Sequence, residues 1–256
     1  MSRVFITGSA DGLGKLAAQL LLQQGHSVVL HARNAKRAKD ALAATPDAES
    51  AVIGDLSNIS ETRSVADQLN RLGTFDAVIH NAAVGDRERK RITTQDGLPH
   101  VFATNTLAPY ILTALIQRPK RLVYLSSGLH RNVNTTLADL LWTKRKWQGS
   151  EAYAETKFQS VLLAFAIAQL WPDVFSNSLD PGWVPTKMGG PEAPDDLLEG
   201  CRTQVWLAVS EDPAARVTGE YFYHQKRLAP SPAARLIATQ DLLLSQCRKI
   251  SGIRLA

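Results

Sequence analysis

Tyr153 and Lys157 stand four residues apart at the start of an apolar run, Phe158 to Trp171, that has helical spacing. Residues so spaced lie one above the other on one helix face, so a phenol and an ammonium can share a site there. A phenol titrates near pH 10, too high for proton transfer at neutral pH. A neighbouring cation favours the phenolate, as a general acid/base working near pH 7 requires. Taken alone, the spacing more often marks an exposed helix pair, so its meaning depends on partners elsewhere in the chain.

Those partners must come from a 256-residue chain that is 45% hydrophobic and 21% charged, ordinary values for a globular core. No apolar run approaches the ~20 residues that span a bilayer, which excludes a membrane class. A strand-like run, Arg3 to Thr7, begins beside Met1 and leaves no room for a signal or transit peptide, so a cytoplasmic location is expected. Cys201 and Cys247 have no metal-ligand spacing and are expected to be reduced thiols; no metal site is expected. The net charge of +5 invites a nucleic-acid reading. The basic clusters, 87–91 and Lys144-Arg145-Lys146, are short and belong to no nucleic-acid module, so solvated loop surface is expected instead.

Short β-branched runs alternate with amphipathic segments. Strands are expected at Val4–Thr7, Ser27–His31, Ala51–Gly54, Ala77–Asn81, Leu122–Ser126, Phe175–Leu179 and Glu220–Tyr223. Helices are expected at Gly14–Gln24, Ala35–Ala44, Ile59–Leu72, Leu98–Ile116, Ala152–Trp171, Asp196–Val209 and Ala233–Arg248. The alternation predicts an α/β fold over 1–256: one Rossmann-type doubly wound domain, its seven-stranded parallel sheet flanked by helices on both faces. Two stretches break the pattern. Gly128–Ser150 is a polar, Trp-bearing insertion with a short helix expected at Leu137–Trp142, and 185–200 is rich in Pro, Gly and acidic residues. Such segments beyond parallel strands are candidate substrate walls or a lid.

The loop Thr7-Gly8-Ser9-Ala10-Asp11-Gly12-Leu13-Gly14 follows the first strand and opens the first helix. Its glycines allow a tight turn and close backbone approach to a pyrophosphate, with free N–H groups at the helix start. An NAD site wants an acid at the end of the second strand. This chain reads His31-Ala32-Arg33 there, and the Arg33 guanidinium suits a 2′-phosphate, so NADP is favoured over NAD. Asp55, before Leu56, can accept from the adenine amino group or N-cap a helix near Ser57. Asn81-Ala82-Ala83 would pass beside the nicotinamide ribose, with Asn81 tying neighbouring strands together.

The chain resembles the short-chain dehydrogenase/reductase family from Thr7 to about Tyr223. The resemblance rests on the T-G-x-x-x-G-x-G loop at 7–14, Asp55, Asn81-Ala82-Ala83, Asn105, Ser126-Ser127, Tyr153-x-x-x-Lys157, and Pro181-Gly182 with Thr186. Leu179 to Gly190 is similar to retinol dehydrogenases and to daunorubicin-type ketoreductases. The resemblance implies carbonyl–alcohol interconversion with NADP(H) on a small-molecule substrate. Tyr153 would move the proton; Lys157 would assist it and hold the nicotinamide ribose. Ser127 would bond the reacting oxygen, Asn105 would hold a water beside Lys157, and Thr186 would orient the carboxamide. Pro181, Gly182 and Val184 complete the implied cofactor contacts. Asp11 stands where many NADP-preferring relatives carry a basic residue, Ala83 replaces a glycine, and the insertion before Tyr153 is long. Trp142, Trp147, Trp183, His130 and Tyr221 are candidate pocket residues. Relatives are often dimers or tetramers, so self-association stays open. The rival reading is a non-catalytic NADP-binding sensor on the same fold.

Overall fold

Along each central strand, successive side chains enter different cores. Phe5, Val29, Val78, Leu122 and Tyr124 belong to one hydrophobic cluster, and Val4, Ile6, Val28, Leu30, Ile79, Val123 and Leu125 to another. Such strands are apolar throughout because both faces of the sheet are covered. The computed structural model describes residues 1–85 and 88–255.

The strands are β1 (Arg3–Ile6), β2 (Ser27–Ala32), β3 (Ser50–Ile53), β4 (Ala77–His80), β5 (Arg121–Leu125), β6 (Phe175–Asp180), β7 (Tyr221–Tyr223) and β8 (Lys226–Arg227). They form an eight-stranded sheet in the order β3-β2-β1-β4-β5-β6-β7-β8. The first seven are parallel, with Phe5 opposite both Val29 and Val78. β8 pairs antiparallel with β7 and is an addition to the seven expected strands. Its two charged residues carry no strand pattern. It forms because His224 and Gln225 both adopt positive φ, 45° and 63°, the geometry of a tight hairpin turn.

Helices α1 (Gly12–Gln23) and α7 (Leu197–Val209) cover one face, supplying Ala17, Leu21, Cys201 and Val205 to its core. The other is covered by α3 (Ile59–Leu72), α5 (Ala108–Leu115), α6 (Gly149–Leu170) and α8 (Ile237–Ser251). Helix α2 (Ala35–Ala44) packs beside β2 and β3. The expected helix over Leu98–Ile116 is three consecutive segments: α4 (His100–Phe102), a π-turn at Ala103–Leu107, and α5. The last expected helix begins with a 3-10 turn at Pro232–Arg235, and α8 ends at Gly252, whose left-handed φ of 70° closes it. No helix among the described residues is long and apolar enough to cross a membrane.

No helix forms at Leu137–Trp142. Leu137 and Trp142 have φ of 55° and 52°, and the Asp139 carboxylate accepts from the Thr143 and Lys144 amides. Local side-chain bonds of this kind offer the backbone an alternative to helix. The basic run beside it is only partly solvated. Arg145 forks onto Glu155 with two contacts of 2.6 Å and lies 3.7 Å above the Trp142 ring, while Lys144 and Lys146 are exposed. In the other basic run Arg87 lies outside the described residues, and Arg91 is spent on the Leu141 and Gly97 carbonyls.

Candidate active site

The chain order reverses between β1 and β4, and ligands of open parallel sheets bind beyond the carboxyl ends of strands at such a switch point. A cavity of about 1160 Å³ opens there. Its floor is the loop between β1 and α1. Gly8 and Gly12 hold φ of 64° and 50°, and a Cβ on Gly8 would stand 2.9 Å from the Ala82 Cα. A Cβ on Gly14 would stand 2.4 Å from the Asn81 amide nitrogen and 2.5 Å from the Gly8 carbonyl oxygen. The Asp11 side chain caps α1 by accepting from the Gly12 amide at 2.8 Å.

Thr7 and Asn81 bind this loop to β4. The Thr7 hydroxyl oxygen accepts from the Asn81 and Ala82 amides, and the Asn81 side chain donates back to the Thr7 carbonyl, all within 3.0 Å. Ser9 is turned inward, its hydroxyl donating to the Ile6 carbonyl and accepting from the His31 amide. Gly8, Gly12, Leu13, Asn81, Ala82 and Ala83 line the cavity; Thr7, Ser9 and Gly14 shape it from behind.

Sequence reasoning missed His31. Its ring is buried, Nδ1 accepts from the Gly8 amide at 3.0 Å, and Nε2 bonds the Gly54 carbonyl at 2.9 Å. The carbonyl accepts only, so Nε2 carries the proton. Burial lowers the ring's pKa to about 4, keeping it neutral. Its one visible signal is a titratable residue inside an otherwise apolar strand.

At the outer end, Arg33 lines the cavity with no ion pair among the described residues. Arg37, in the first turn of α2, reaches the Asp11 carboxylate at 3.3 Å. Lys187 pairs with the same carboxylate from across the cleft, and this contact leads in holding Asp11 below the usual carboxylate range. Asp55 does not cap the next helix. Its Oδ1 accepts from the Ser57 amide at 2.9 Å, and Asn58 is the cap of α3. Asp55 and Leu56 both line the cavity. A backbone cradle without room for side chains, followed by an unpaired guanidinium, fits a dinucleotide.

The inner end is set by α6, buried on nearly every side from Ala152 to Ile167. Such a helix must be apolar all round, so its polar residues need a purpose. Tyr153 and Lys157 both line the cavity, with the Lys157 Nζ 5.3 Å from the Tyr153 ring centroid. The ammonium donates to the Leu125 carbonyl at 3.0 Å. Burial lowers its pKa to about 8, against the opposing pull of the Asp180 carboxylate. Ser126 fastens α6 to the strand end by donating to the Lys157 carbonyl at 2.8 Å. Ser127 faces the cavity and caps the 3-10 turn Gly128–Arg131.

Asn105 does not line the cavity. From the π-turn its amide accepts from the Val84 amide and donates to the Val84 carbonyl and the Thr156 hydroxyl, at 2.9 to 3.0 Å. Both of its N–H groups are thereby spent. It clamps the segment after β4 against the turn of α6 that carries Tyr153. A π-turn shifts the helical register by one residue, and such turns often sit at functional sites.

After β6, Pro181, Gly182, Val184 and Thr186 line the roof, with Lys187, Met188, Gly189 and Asp195. The Asp195 carboxylate accepts from the Trp183 amide, and the Trp183 indole donates to the Gly189 carbonyl at 2.8 Å. The Thr186 hydroxyl accepts from the Gly189 amide. Asp180, a second missed residue, puts a carboxylate in the cavity while accepting from the Gly182 amide. Of the candidate pocket aromatics, only Trp183 lines the cavity. Trp142 and Trp147 pack on each other in a separate cluster. His130 lies behind Ser127, donating to its carbonyl at 2.7 Å and accepting from the Ser231 amide, with Tyr221 against its ring. From the insertion only Gly128, Leu129 and Arg131 reach the cavity.

A family model described as short chain dehydrogenase matches residues 2–196. An uncharacterized oxidoreductase of Emericella nidulans is 43% identical over 257 residues, 99% of this chain and 98% of that one. A Streptomyces protein named as a daunorubicin C-13 ketoreductase is 30% identical over 246 residues, 89% of this chain and 84% of its own, in keeping with the resemblance read from Leu179 to Gly190. Pseudomonas aeruginosa RhlG, in an active-site complex with NADP, shares the fold with a TM-score of 0.69 at 19% identity, over 87% of this chain and 94% of that one.

Proposed function

The chain belongs to the short-chain dehydrogenase/reductase family and is an oxidoreductase, and from that premise we propose that it interconverts a carbonyl and an alcohol with NADP(H). The observation that carries the proposal is the buried Lys157 ammonium beside the Tyr153 ring, in one cavity with Ser127. Tyr153 gives its phenolic proton to the carbonyl oxygen in reduction and takes it back in oxidation. A cation beside the ring stabilises the negative charge that develops on the phenol oxygen as the proton leaves. The Ser127 hydroxyl donates to the same oxygen as charge develops on it. Asn105 and His130 act through others, holding the turn that carries Tyr153 and the backbone of Ser127. The nicotinamide, when bound, supplies or accepts the hydride.

NADP is our reading of the cofactor. Arg33 and Arg37 line the cavity beyond β2 and suit a 2′-phosphate, no acid stands at the end of β2, and a complexed protein of this fold holds NADP. The two cysteines are free and buried, as in a reducing compartment, and we read the protein as cytoplasmic.

The test follows NADPH absorbance over a panel of ketones, quinones and aldehydes, with wild type against Tyr153→Phe. The variant is expected to lose ~10²- to 10⁴-fold in kcat while still binding NADPH. No turnover by wild type despite NADPH binding would favour the sensor reading.

A further inference from the structure

One titratable residue of the cavity wall, backed by a carboxylate behind it, has no part in the proton path. His100, the first residue of α4, lines the cavity, as does Thr104 one turn on. Its Nδ1 lies 2.7 Å from the Glu88 Oε1. The Glu88 side chain is only 9% exposed, while that of His100 is 29% exposed. The Glu88 Oε2 is buried with no hydrogen-bond partner among the described residues.

The surroundings of Glu88 are tightly built. Its carbonyl accepts from the Trp147 indole at 2.9 Å. A Cβ on Gly149, the first residue of α6, would stand 2.2 Å from that carbonyl oxygen, and a Cβ on Gly85 would stand 1.9 Å from Val101. The backbone of Glu88 is thus packed against the start of α6, one turn before Tyr153, and Gly85 against α4, which sets where the Glu88 side chain starts.

A buried carboxylate accepts, so the imidazole donates through Nδ1, and this bond fixes the ring's orientation. Nε2 is the nitrogen left for a ligand, and no protein group bonds it among the described residues. Resting on the carbonyl–alcohol reading, we infer that His100, oriented by Glu88, binds a hydroxyl group of the substrate away from the reacting carbon. The substrate class is then hydroxylated ketones or aldehydes. A hydroxyl is the partner both protonation states of Nε2 satisfy, because it donates to the lone pair and accepts from the N–H. Glu88 is a positioning residue.

The experiment measures kcat/KM with NADPH for acetophenone and 1-tetralone, each against its monohydroxylated analogues. Wild type is expected to prefer at least one hydroxylated analogue by about tenfold or more, the discrimination one buried hydrogen bond supplies. His100→Phe and Glu88→Leu should abolish that preference. Glu88→Gln, which keeps an acceptor for Nδ1, should retain most of it. The ratio between two substrates separates recognition from a loss of folded enzyme. Turnover without preference in wild type, or a preference that survives His100→Phe, overturns the inference and leaves the oxidoreductase reading standing. Weakened NADPH binding in His100→Phe would put the imidazole against the cofactor and overturn it too. No turnover of any ketone while NADPH binds removes the reading and the inference together.

Discussion

At the glycine-loop end of the cleft the walls are backbone: Gly8 against Ala82, Gly14 against the Gly8 carbonyl, and a neutral His31 strut between loop and sheet. At the other end the walls are side chains on loops, with Trp183 55%, Leu129 54% and Leu228 44% exposed. The roof over that end is tied by the Lys187–Asp11 ion pair and by bonds within its own loop. The first end has almost no freedom to vary, whereas the second changes shape by exchanging side chains. A dinucleotide needs a constant receptor and a substrate a variable one, and loops on a rigid scaffold supply the second.

Variants break that comparison at different strengths. Lys157, between the two ends, carries the largest stability effect. Its pKa is depressed to about 8 in the folded state, so between pH 8 and 10.5 the unfolded chain binds more protons. Wild-type stability therefore rises with pH across this window, and the buried charge is a burden below it. Lys157→Met should gain about 3 kcal/mol over wild type at pH 7 and lose this pH dependence, while losing activity. Urea unfolding at pH 7 and pH 10 reads the difference.

At the rigid end, Gly14→Ala should cost about 2 kcal/mol, because its Cβ has nowhere to go, and should weaken NADPH binding with it. Normal thermal stability in this variant would show that the loop yields. Arg33→Ala should raise the Kd for NADPH ~10- to 100-fold, the loss of one charge-assisted bond, and leave NADH binding almost unchanged. Equal losses for both cofactors would remove Arg33 from the 2′-phosphate. At the permissive end, Trp183→Ala should change KM by only a few-fold at constant NADPH affinity, as suits a half-exposed side chain. A collapse in NADPH affinity would instead make Trp183 part of the cofactor cradle.

The sheet and most helices were legible because β1, β2, β4 and β5 are largely apolar runs and most helices repeat with their own period. The π-turn around Asn105 was not, since one extra residue in a helical turn leaves the hydrophobic pattern intact. The failed helix at Leu137–Trp142 shows the opposite error. Its apolar spacing looks helical, but Asp139 captures two amides downstream and Trp142 swings under Arg145. Asp180 and Glu88 were invisible as site residues for another reason. Asp180 lies in the Leu179–Gly190 stretch and Glu88 in the 87–91 run, but their importance comes from placement: Asp180 in the cavity and Glu88 behind His100.

The sequence by itself determined the doubly wound class, the glycine loop, the candidate residues Ser127, Tyr153 and Lys157, and Arg33 in place of an acid after β2, because each depends on residue type at short spacing. Tertiary structure alone decided which polar groups face the cavity and which are consumed by the protein. Ser9 and Asn105 spend their hydrogen bonds inside the fold, His31 braces the loop, and Lys187 crosses from the roof to Asp11. Apart from the Ser9–Ile6 bond, those outcomes depend on partners 21 to 176 residues away, and no local pattern in the chain encodes a distance across a cleft.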